Sequence, residues 1–428
     1  MTPAQSIHYL LSLQPTGIKL GLENMRRLCA ELGHPERGGE FVHIAGTNGK
    51  GSVAAMLESI LRAAGFRTGL YTSPHLVDFG ERIRLSGKPL GHADLAAGVD
   101  RLRPVLEKLA GLDVRATFFE ATTALAFLEF REYRPDMVVL ETGLGGRLDS
   151  TNVVDPVATA ITGIGVDHRE FLGSTIAEIA GEKAGIIKAG RPLVMGRMPD
   201  AAREVIIARA GQLGAPVTAA GEGTPTHWDR QKRLQWLTWK GREYATGLAG
   251  KHQAANASVV LELVDLLRAR GRDIPEEAVV RGLAEVVWPA RFEILQNQPP
   301  LVLDGGHNED GLRSALEVWG ECFGGLPGTV LFGCMRDKDL SAMVSTLDLS
   351  GMTVELVPVS SPRSADPGHL AALFRNARTL VHASLYDAYE KWTKAPDPGG
   401  TLVLGSLYLA GEWKSLAESR PHQLGLNG

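Results

Sequence analysis

The sequence predicts an α/β protein of two units: a larger one with a parallel sheet and a smaller one of the same class behind it. Three observations carry this. Short apolar runs rich in β-branched residues alternate with stretches of helical spacing. A glycine-rich segment, Gly46 to Ser52, joins one such run to one such stretch. The same rhythm restarts beyond a proline-containing segment near residue 290. Continuous apolar strands alternating with helices indicate a parallel sheet covered on both faces.

Taken in order, Phe41 to Ala45 reads as a strand. After the glycine-rich loop, Val53 to Ala64 places apolar residues at helical spacing and ends at Gly65. Arg67 to Tyr71 is the next strand, Phe118 to Tyr133 a long helix, Met137 to Glu141 a buried strand and Val157 to Ile164 another. Thr226 to Tyr244 alternates like a strand but is polar, which suggests a small antiparallel excursion. Helices are expected at Ala254 to Arg270 and Pro275 to Val287. Trp288 to Pro300, with Pro289, Pro299 and Pro300, reads as a linker, so the units divide into 1–290, a linker at 291–300, and 301–428. Five short strands follow, starting near Leu301, Thr329, Thr353, Thr379 and Thr401. Glu418 to Gly428 reads as a frayed tail.

Composition narrows the function classes. The 428 residues include 44% hydrophobic and 22% charged residues, enough for a sizeable core. The formal charge of -4 gives no electrostatic case for nucleic acid. Cys29, Cys322 and Cys334 form no metal-type pair and no disulfide framework, which fits a reducing compartment. The first residues lack a secretory pattern, and no apolar run reaches the ~18 residues of a spanning helix. A soluble cytoplasmic protein is expected. The 50 glycines exceed an average share and suit turns and loops that approach a ligand closely.

The segment Gly46-Thr47-Asn48-Gly49-Lys50-Gly51-Ser52 has the parts of a phosphate loop of P-loop type. Glycines let backbone N–H groups approach phosphate oxygens, and the following helix adds positive partial charge at its start. Lys50 supplies a point charge and Ser52 a hydroxyl suited to magnesium. The pattern G-x-x-x-x-G-K-S/T is not met, because Ile44 and Gly51 depart from it. An ordinary tight turn is the bland alternative.

Other residues gather at expected strand ends, where open α/β sheets bind ligands. Glu141 closes an apolar strand and suits a hard cation. His168, after Asp167, suits either a metal ligand or a cap. Lys183 is an ordinary snorkelling residue unless buried, where its amine becomes neutral and reactive. Ser73, in Ser73-Pro74-His75, lies in a loop or a simple turn. Asp304-Gly305-Gly306-His307-Asn308 repeats the strand-end logic in the second unit, and Arg291 lies in the expected linker.

Together these segments resemble the folylpolyglutamate synthase and dihydrofolate synthase family, within the Mur ligase superfamily. The resemblance runs over nearly the whole chain. It rests on Gly17 to Met25, Gly46 to Ser52, Thr72 to Leu76, Glu81 to Ile83, Thr117 to Ala121, Glu141 to Asn152 and Asp167-His168. It continues through Glu182 to Lys188, His252 to Ala257, Trp288 to Arg291, Asp304 to Asn308 and Gly405 to Gly411. Departures at Ser150, Arg169-Glu170 and Gly305-Gly306 remove no implied ligand.

The resemblance implies a P-loop-type ATPase unit followed by a smaller, Rossmann-like one. It implies that Gly46, Thr47, Asn48, Gly49, Lys50, Gly51 and Ser52 hold ATP phosphates, with Asn256, Arg291 and Asp304 as further nucleotide contacts. Ser73 and Glu141 would bind one magnesium ion and His168 a second. Lys183 matches a lysine that is carbamylated in the family. His307 and Ser406 match positions near L-glutamate, and Phe119, Gly146 and Asp149 fall in segments that resemble the pterin-binding region. The implied reaction is ATP-dependent ligation of a dihydropteroate or reduced-folate carboxylate to L-glutamate through an acyl phosphate, by a monomer without nucleic-acid or membrane partners. Lys50, Lys183 and His307 are its expected catalytic residues. A muramoyl-peptide ligase is the nearest rival, and a non-catalytic nucleotide switch is the rival from another class.

Overall fold

The computed structural model describes residues 1–13, 21–221 and 223–419. Residues 17–20 of the early family-like segment, and most of the expected tail, lie outside the described residues.

Eight strands form the first sheet: β1 (Phe41–Ala45), β2 (Thr68–Tyr71), β3 (Ile83–Leu85), β4 (Lys88–Pro89), β5 (Met137–Glu141), β6 (Ala158–Ile161), β7 (Leu193–Met195) and β8 (Val217–Ala219). Their order is β4-β3-β2-β5-β1-β6-β7-β8. From β2 to β8 every pairing is parallel, while β3 and β4 close one edge as antiparallel strands. Both faces are covered, which is why β1 and β5 read as unbroken apolar runs. On one face Val42, Ile44 and Val139 pack against the helices Lys50–Ala63 and Lys251–Ala269. On the other, Phe41, Val138 and Leu140 pack against His92–Ala110 and Phe118–Tyr133.

The polar stretch forms a separate three-stranded antiparallel sheet of β9 (Thr224–Asp229), β10 (Leu234–Trp239) and β11 (Arg242–Thr246), as its alternation predicts. β12 (Glu293–Asn297), β13 (Pro300–Leu303), β14 (Thr329–Phe332), β15 (Thr353–Leu356), β16 (Arg378–Val381) and β17 (Thr401–Leu404) form the second sheet. Its order is β12-β13-β17-β14-β15-β16, parallel except for β12.

The segment expected to be a linker is therefore largely an edge strand. Pro289 and Pro299 flank this edge strand, and Pro300 opens β13 opposite Asn297, the first position of a strand being one of the few a proline can take. The first long helix begins at Lys50, three residues before the apolar period becomes visible. Gly49, at φ 88°, turns the chain into it.

In each sheet the loops beyond the carboxyl ends of the parallel strands carry the candidate residues. Loops after β1, β2, β5 and β6 meet loops after β13, β14, β15 and β17 across one cleft. No helix among the described residues is long and apolar enough to cross a membrane.

Candidate active site

The glycine loop is built against the exit of β6. Thr47 N donates to Gly163 O at 2.8 Å, and Thr47 Oγ1 both donates to Gly165 O and accepts from Gly165 N, each at 3.0 Å. Thr162 Oγ1 donates to Asn48 O at 2.7 Å. Gly46 lies so close to Thr162 that a Cβ there would stand 1.8 Å from Thr162 Oγ1. The loop is thus rigid before any phosphate arrives, which lowers the entropic cost of binding one. Lys50 folds back over it, with Nζ donating to Gly46 O at 3.0 Å and Thr47 O at 3.2 Å.

Lys183 answers the question its sequence left open. It is buried, and its Nζ donates to Gly46 O at 2.8 Å. Burial, with the nearby charge of Lys50, lowers its pKa to about 7. An amine so placed is available as a neutral nucleophile near neutral pH, unlike a snorkelling lysine.

Glu141 is buried at the end of β5, in register beside Ile44 of β1. Its Oε2 accepts a long hydrogen bond, 3.3 Å, from Ser73 N. Burial raises its pKa to about 7, against the opposing charge of Lys50 and the Ser73 N–H. A carboxylate with so little local compensation is a fit for a hard cation, whose charge would replace the lost solvation. Ser73 and His168 line the same cleft. His168 stands at the N-cap position of the short helix Arg169–Leu172 at φ 50°, but its ring makes no capping bond. Burial lowers its pKa to about 4, against the pull of Asp167, so the imidazole is neutral, the form that binds metals. No cluster of three or more His, Cys, Asp or Glu suited to a metal occurs among the described residues. Magnesium does not require one, since it keeps waters and takes one or two carboxylates plus phosphate.

A second cavity opens on the other side of the glycine loop. Asn256, Arg291 and Asp304 line it together with Gly49, Gly51 and Ser52. Asp304 accepts from Phe292 N at 2.8 Å and Gly306 N at 2.7 Å, and burial raises its pKa against the charge of Arg291. Asn256 Nδ2 donates to Gln253 Oε1 at 2.9 Å. Ser52 belongs here and not with Ser73, Glu141 and His168. It is buried, and its Oγ accepts from Gln253 Nε2 at 3.5 Å. Gly51 displaces it by one position from the loop mouth, which is the physical consequence of the departure from the standard pattern.

His307 and Ser406 reach the cleft from the second sheet. His307 Nδ1 donates to Gly305 O at 3.0 Å, because a carbonyl only accepts, and Nε2 is directed at the Asp167 carboxylate, 3.7 Å away. Ser406 caps the helix Leu407–Ala417, its Oγ accepting from Tyr408 N at 3.1 Å.

The three residues expected on the pterin side do not line the cleft. Phe119 packs under Gly143, where a Cβ would sit 2.4 Å from the ring. Gly146 passes tightly over the backbone carbonyls of Glu182 and Lys183. Asp149 is buried and accepts from Leu144 N at 2.8 Å, Thr151 N at 3.0 Å and Thr151 Oγ1 at 2.5 Å. These residues shape the loop after β5 from behind.

The sequence reading missed Lys338 and Arg363, which line the cleft from the second unit. Lys338 stands in Met335-Arg336-Asp337-Lys338-Asp339, directly beyond β14. The strand-end logic applied to β13 would have found it.

Comparison with known proteins agrees with this geometry. The Mur ligase middle domain matches residues 44–264, and the Mur ligase glutamate ligase domain matches residues 290–407. The Bacillus subtilis dihydrofolate synthase/folylpolyglutamate synthase is 37% identical over 394 residues, covering 89% of this chain and 88% of that protein. The Escherichia coli dihydrofolate synthase/folylpolyglutamate synthase is 32% identical over 425 residues, covering 97% and 96%. Among solved structures, Mycobacterium tuberculosis folylpolyglutamate synthase complexed with ADP superposes with a TM-score of 0.87 at 30% identity, over 99% of each chain. E. coli FolC in complex with DHPP and ADP gives 0.84 at 29% identity, over 98% of each. The chain belongs to the dihydrofolate synthase/folylpolyglutamate synthase family of the Mur ligases.

Proposed function

We propose that this chain joins a dihydropteroate or reduced-folate carboxylate to L-glutamate at the expense of ATP, through an acyl phosphate. The observation that carries the reading is the convergence of Lys50, Glu141, Lys183, His168 and His307 on one cleft between two sheets. That cleft has a rigid phosphate loop on one wall and loops of the second unit on the other.

The triphosphate lies along the backbone N–H groups of residues 46–51, with Lys50 swinging from its carbonyl contacts onto the phosphate oxygens. Asn256, Arg291 and Asp304 hold the rest of the nucleotide in the second cavity. Glu141 and Ser73 would hold one magnesium ion and His168 a second, which would supply positive charge against the transferring phosphoryl group. The substrate carboxylate attacks the γ-phosphorus and ADP leaves. The amine of L-glutamate, positioned by His307 and Ser406, then attacks the acyl carbon, and phosphate departs. Closure of the second unit keeps water from the acyl phosphate.

Lys183 is the proposed carbamylation site. Its neutral amine would add to carbon dioxide and release a proton, replacing a cation beside the phosphate loop with a carboxylate. A ¹³C NMR signal from protein equilibrated with labelled bicarbonate, present in wild type and absent in Lys183→Met, is expected. Full activity without that signal would defeat it. The pterin-side role of Phe119, Gly146 and Asp149 is read as indirect, through the loop after β5. The chain is read as a cytoplasmic monomer with small-molecule partners and no nucleic-acid or membrane partner. Its three buried free cysteines and net charge of -4 suit that reading.

The test is phosphate release from ATP with dihydropteroate or tetrahydrofolate, with and without L-glutamate. Release that needs all three components, and falls at least ~100-fold in Lys50→Ala, is expected. Turnover indifferent to glutamate would favour the nucleotide-switch reading. Activity with only one pterin substrate would narrow the assignment to one of the two reactions.

A further inference from the structure

Ser73 lies in a loop with no regular structure, yet it must be held accurately if it is to share a cation with Glu141. The loop runs from Thr72 to Asp78, between β2 and the single helical turn Phe79–Arg82. What fixes it is the pair Glu81-Arg82. Glu81 Oε2 accepts from Leu76 N at 2.8 Å, and Oε1 accepts from Val77 N at 3.0 Å and Asp78 N at 2.8 Å. One carboxylate thus gathers three successive backbone donors. An ordinary capping box needs only the bond to Asp78 N. Arg82 engages the loop's earlier part. Its carbonyl accepts from Thr72 N at 3.0 Å, and its Nε donates to His75 Nδ1 at 2.8 Å. Ser73 and Pro74 are left as the span between these anchors, with Ser73 N bonded to Glu141.

Glu81 also lies at the site. It lines a small recess of the cleft with Ser73, Pro74 and Glu141. Both its oxygens accept charge-assisted bonds from backbone N–H groups, so the carboxylate is fixed to the loop by three of its acceptor positions. We infer that Glu81 is a positioning residue: by clamping the loop Leu76–Asp78 it sets the place of Ser73 against Glu141, and so the affinity of the site for its divalent cation. The inference rests on the proposed role of Ser73 and Glu141 as cation ligands.

The experiment titrates Mn²⁺ by electron paramagnetic resonance into the full chain with a non-hydrolysable ATP analogue, and follows amide hydrogen exchange. Wild type, Glu81→Gln, Glu81→Asp and Glu141→Ala are compared. Gln keeps the shape but loses an acceptor, and Asp keeps the charge but loses the reach. Both should weaken Mn²⁺ binding at least ~10-fold and speed exchange at Leu76, Val77 and Asp78 with little change elsewhere. KM for the metal should rise, while kcat at saturating metal stays within a few-fold of wild type. Unchanged Mn²⁺ affinity in Glu81→Gln, with affinity lost in Glu141→Ala, would overturn the inference and leave the metal reading standing. Unchanged affinity in Glu141→Ala would remove both. Faster exchange spread evenly over the chain would mark a general loss of stability and also overturn it. Should Glu81→Gln not fold, Glu81→Asp decides by the same criteria.

Discussion

Lys338 Nζ donates to Asp167 Oδ1 at 2.8 Å, tying the loop beyond β14 to the loop beyond β6 across the cleft. His307 Nε2 stands 3.7 Å from the other carboxylate oxygen. Burial works against the charge of Asp167, but His307 and Lys338 outweigh it and hold its carboxyl well below the usual range. Asp167 therefore stays ionised at neutral pH, and the contact joins the two units across the cleft.

Because both side chains are mostly buried, removing one partner leaves an uncompensated charge. Asp167→Asn and Lys338→Met should each lower kcat/KM for glutamate by roughly 10- to 100-fold. The double variant should be less impaired than the two effects multiplied, because the second change removes the orphaned charge. Steady-state kinetics on the three variants checks this, and independent, multiplicative losses would contradict a coupled pair.

Lys183 separates stability from function. Its folded pKa of about 7 lies below the unfolded value of 10.5, so between those values the unfolded chain binds more protons and stability rises with pH. Below pH 7 the folded state carries the full cost of a buried charge. Lys183→Met should thus lose activity yet unfold at equal or higher temperature than wild type at pH 6. Its advantage should shrink as pH rises from 7 towards 10.5. Calorimetry across that range is the check.

His43 gives a pH signal of the same sign, in a more acidic window, from a position outside the cleft. It is buried in β1, with Nε2–H donating to Thr151 Oγ1 at 2.8 Å, since that hydroxyl already donates to Asp149. Burial lowers its pKa to about 3 from 6.5. The unfolded chain binds the extra proton in that window, so stability falls as pH drops from 6.5 towards 3. His43→Gln keeps a donor but does not titrate. It should reduce the loss between pH 6.5 and 4 by on the order of 3 kcal/mol, read from urea unfolding at each pH.

Asp149 tests whether the pterin-side segment acts from behind. Asp149→Asn replaces an acceptor that serves three bonds in one loop. It should cost about 1–3 kcal/mol of stability and raise KM for the pterin substrate. A higher KM without loss of stability would mean direct contact.

Most of the larger unit was legible because its strands are buried on both faces and its helices keep a steady period. Phe41–Ala45, Met137–Glu141 and Phe118–Tyr133 fall where the pattern places them. Lys50–Ala63 began early because glycines carry no hydrophobic period, although a glycine at φ 88° starts the helix. β12 hid among prolines because an edge strand pairs on one side only. In the site, Glu141, Lys183 and His307 were visible as polar residues at apolar strand ends or beside apolar runs. The burial that depresses the Lys183 pKa was not, since it depends on packing against Gly46 O from 137 residues away. Glu81, quoted only as part of a family-like segment, had no assigned role and Lys338 was missed for a related reason: their partners are backbone N–H groups in one case and a residue of the other unit in the second.

The central claim is the acyl phosphate, and isotope transfer tests it most directly. The pterin substrate is supplied with ¹⁸O in its carboxylate, together with ATP, Mg²⁺ and L-glutamate. The inorganic phosphate formed is then analysed by mass spectrometry or ³¹P NMR. An acyl phosphate requires that one ¹⁸O pass from the carboxylate to phosphate in each turnover. Phosphate carrying no label, alongside normal amide formation, would contradict the account.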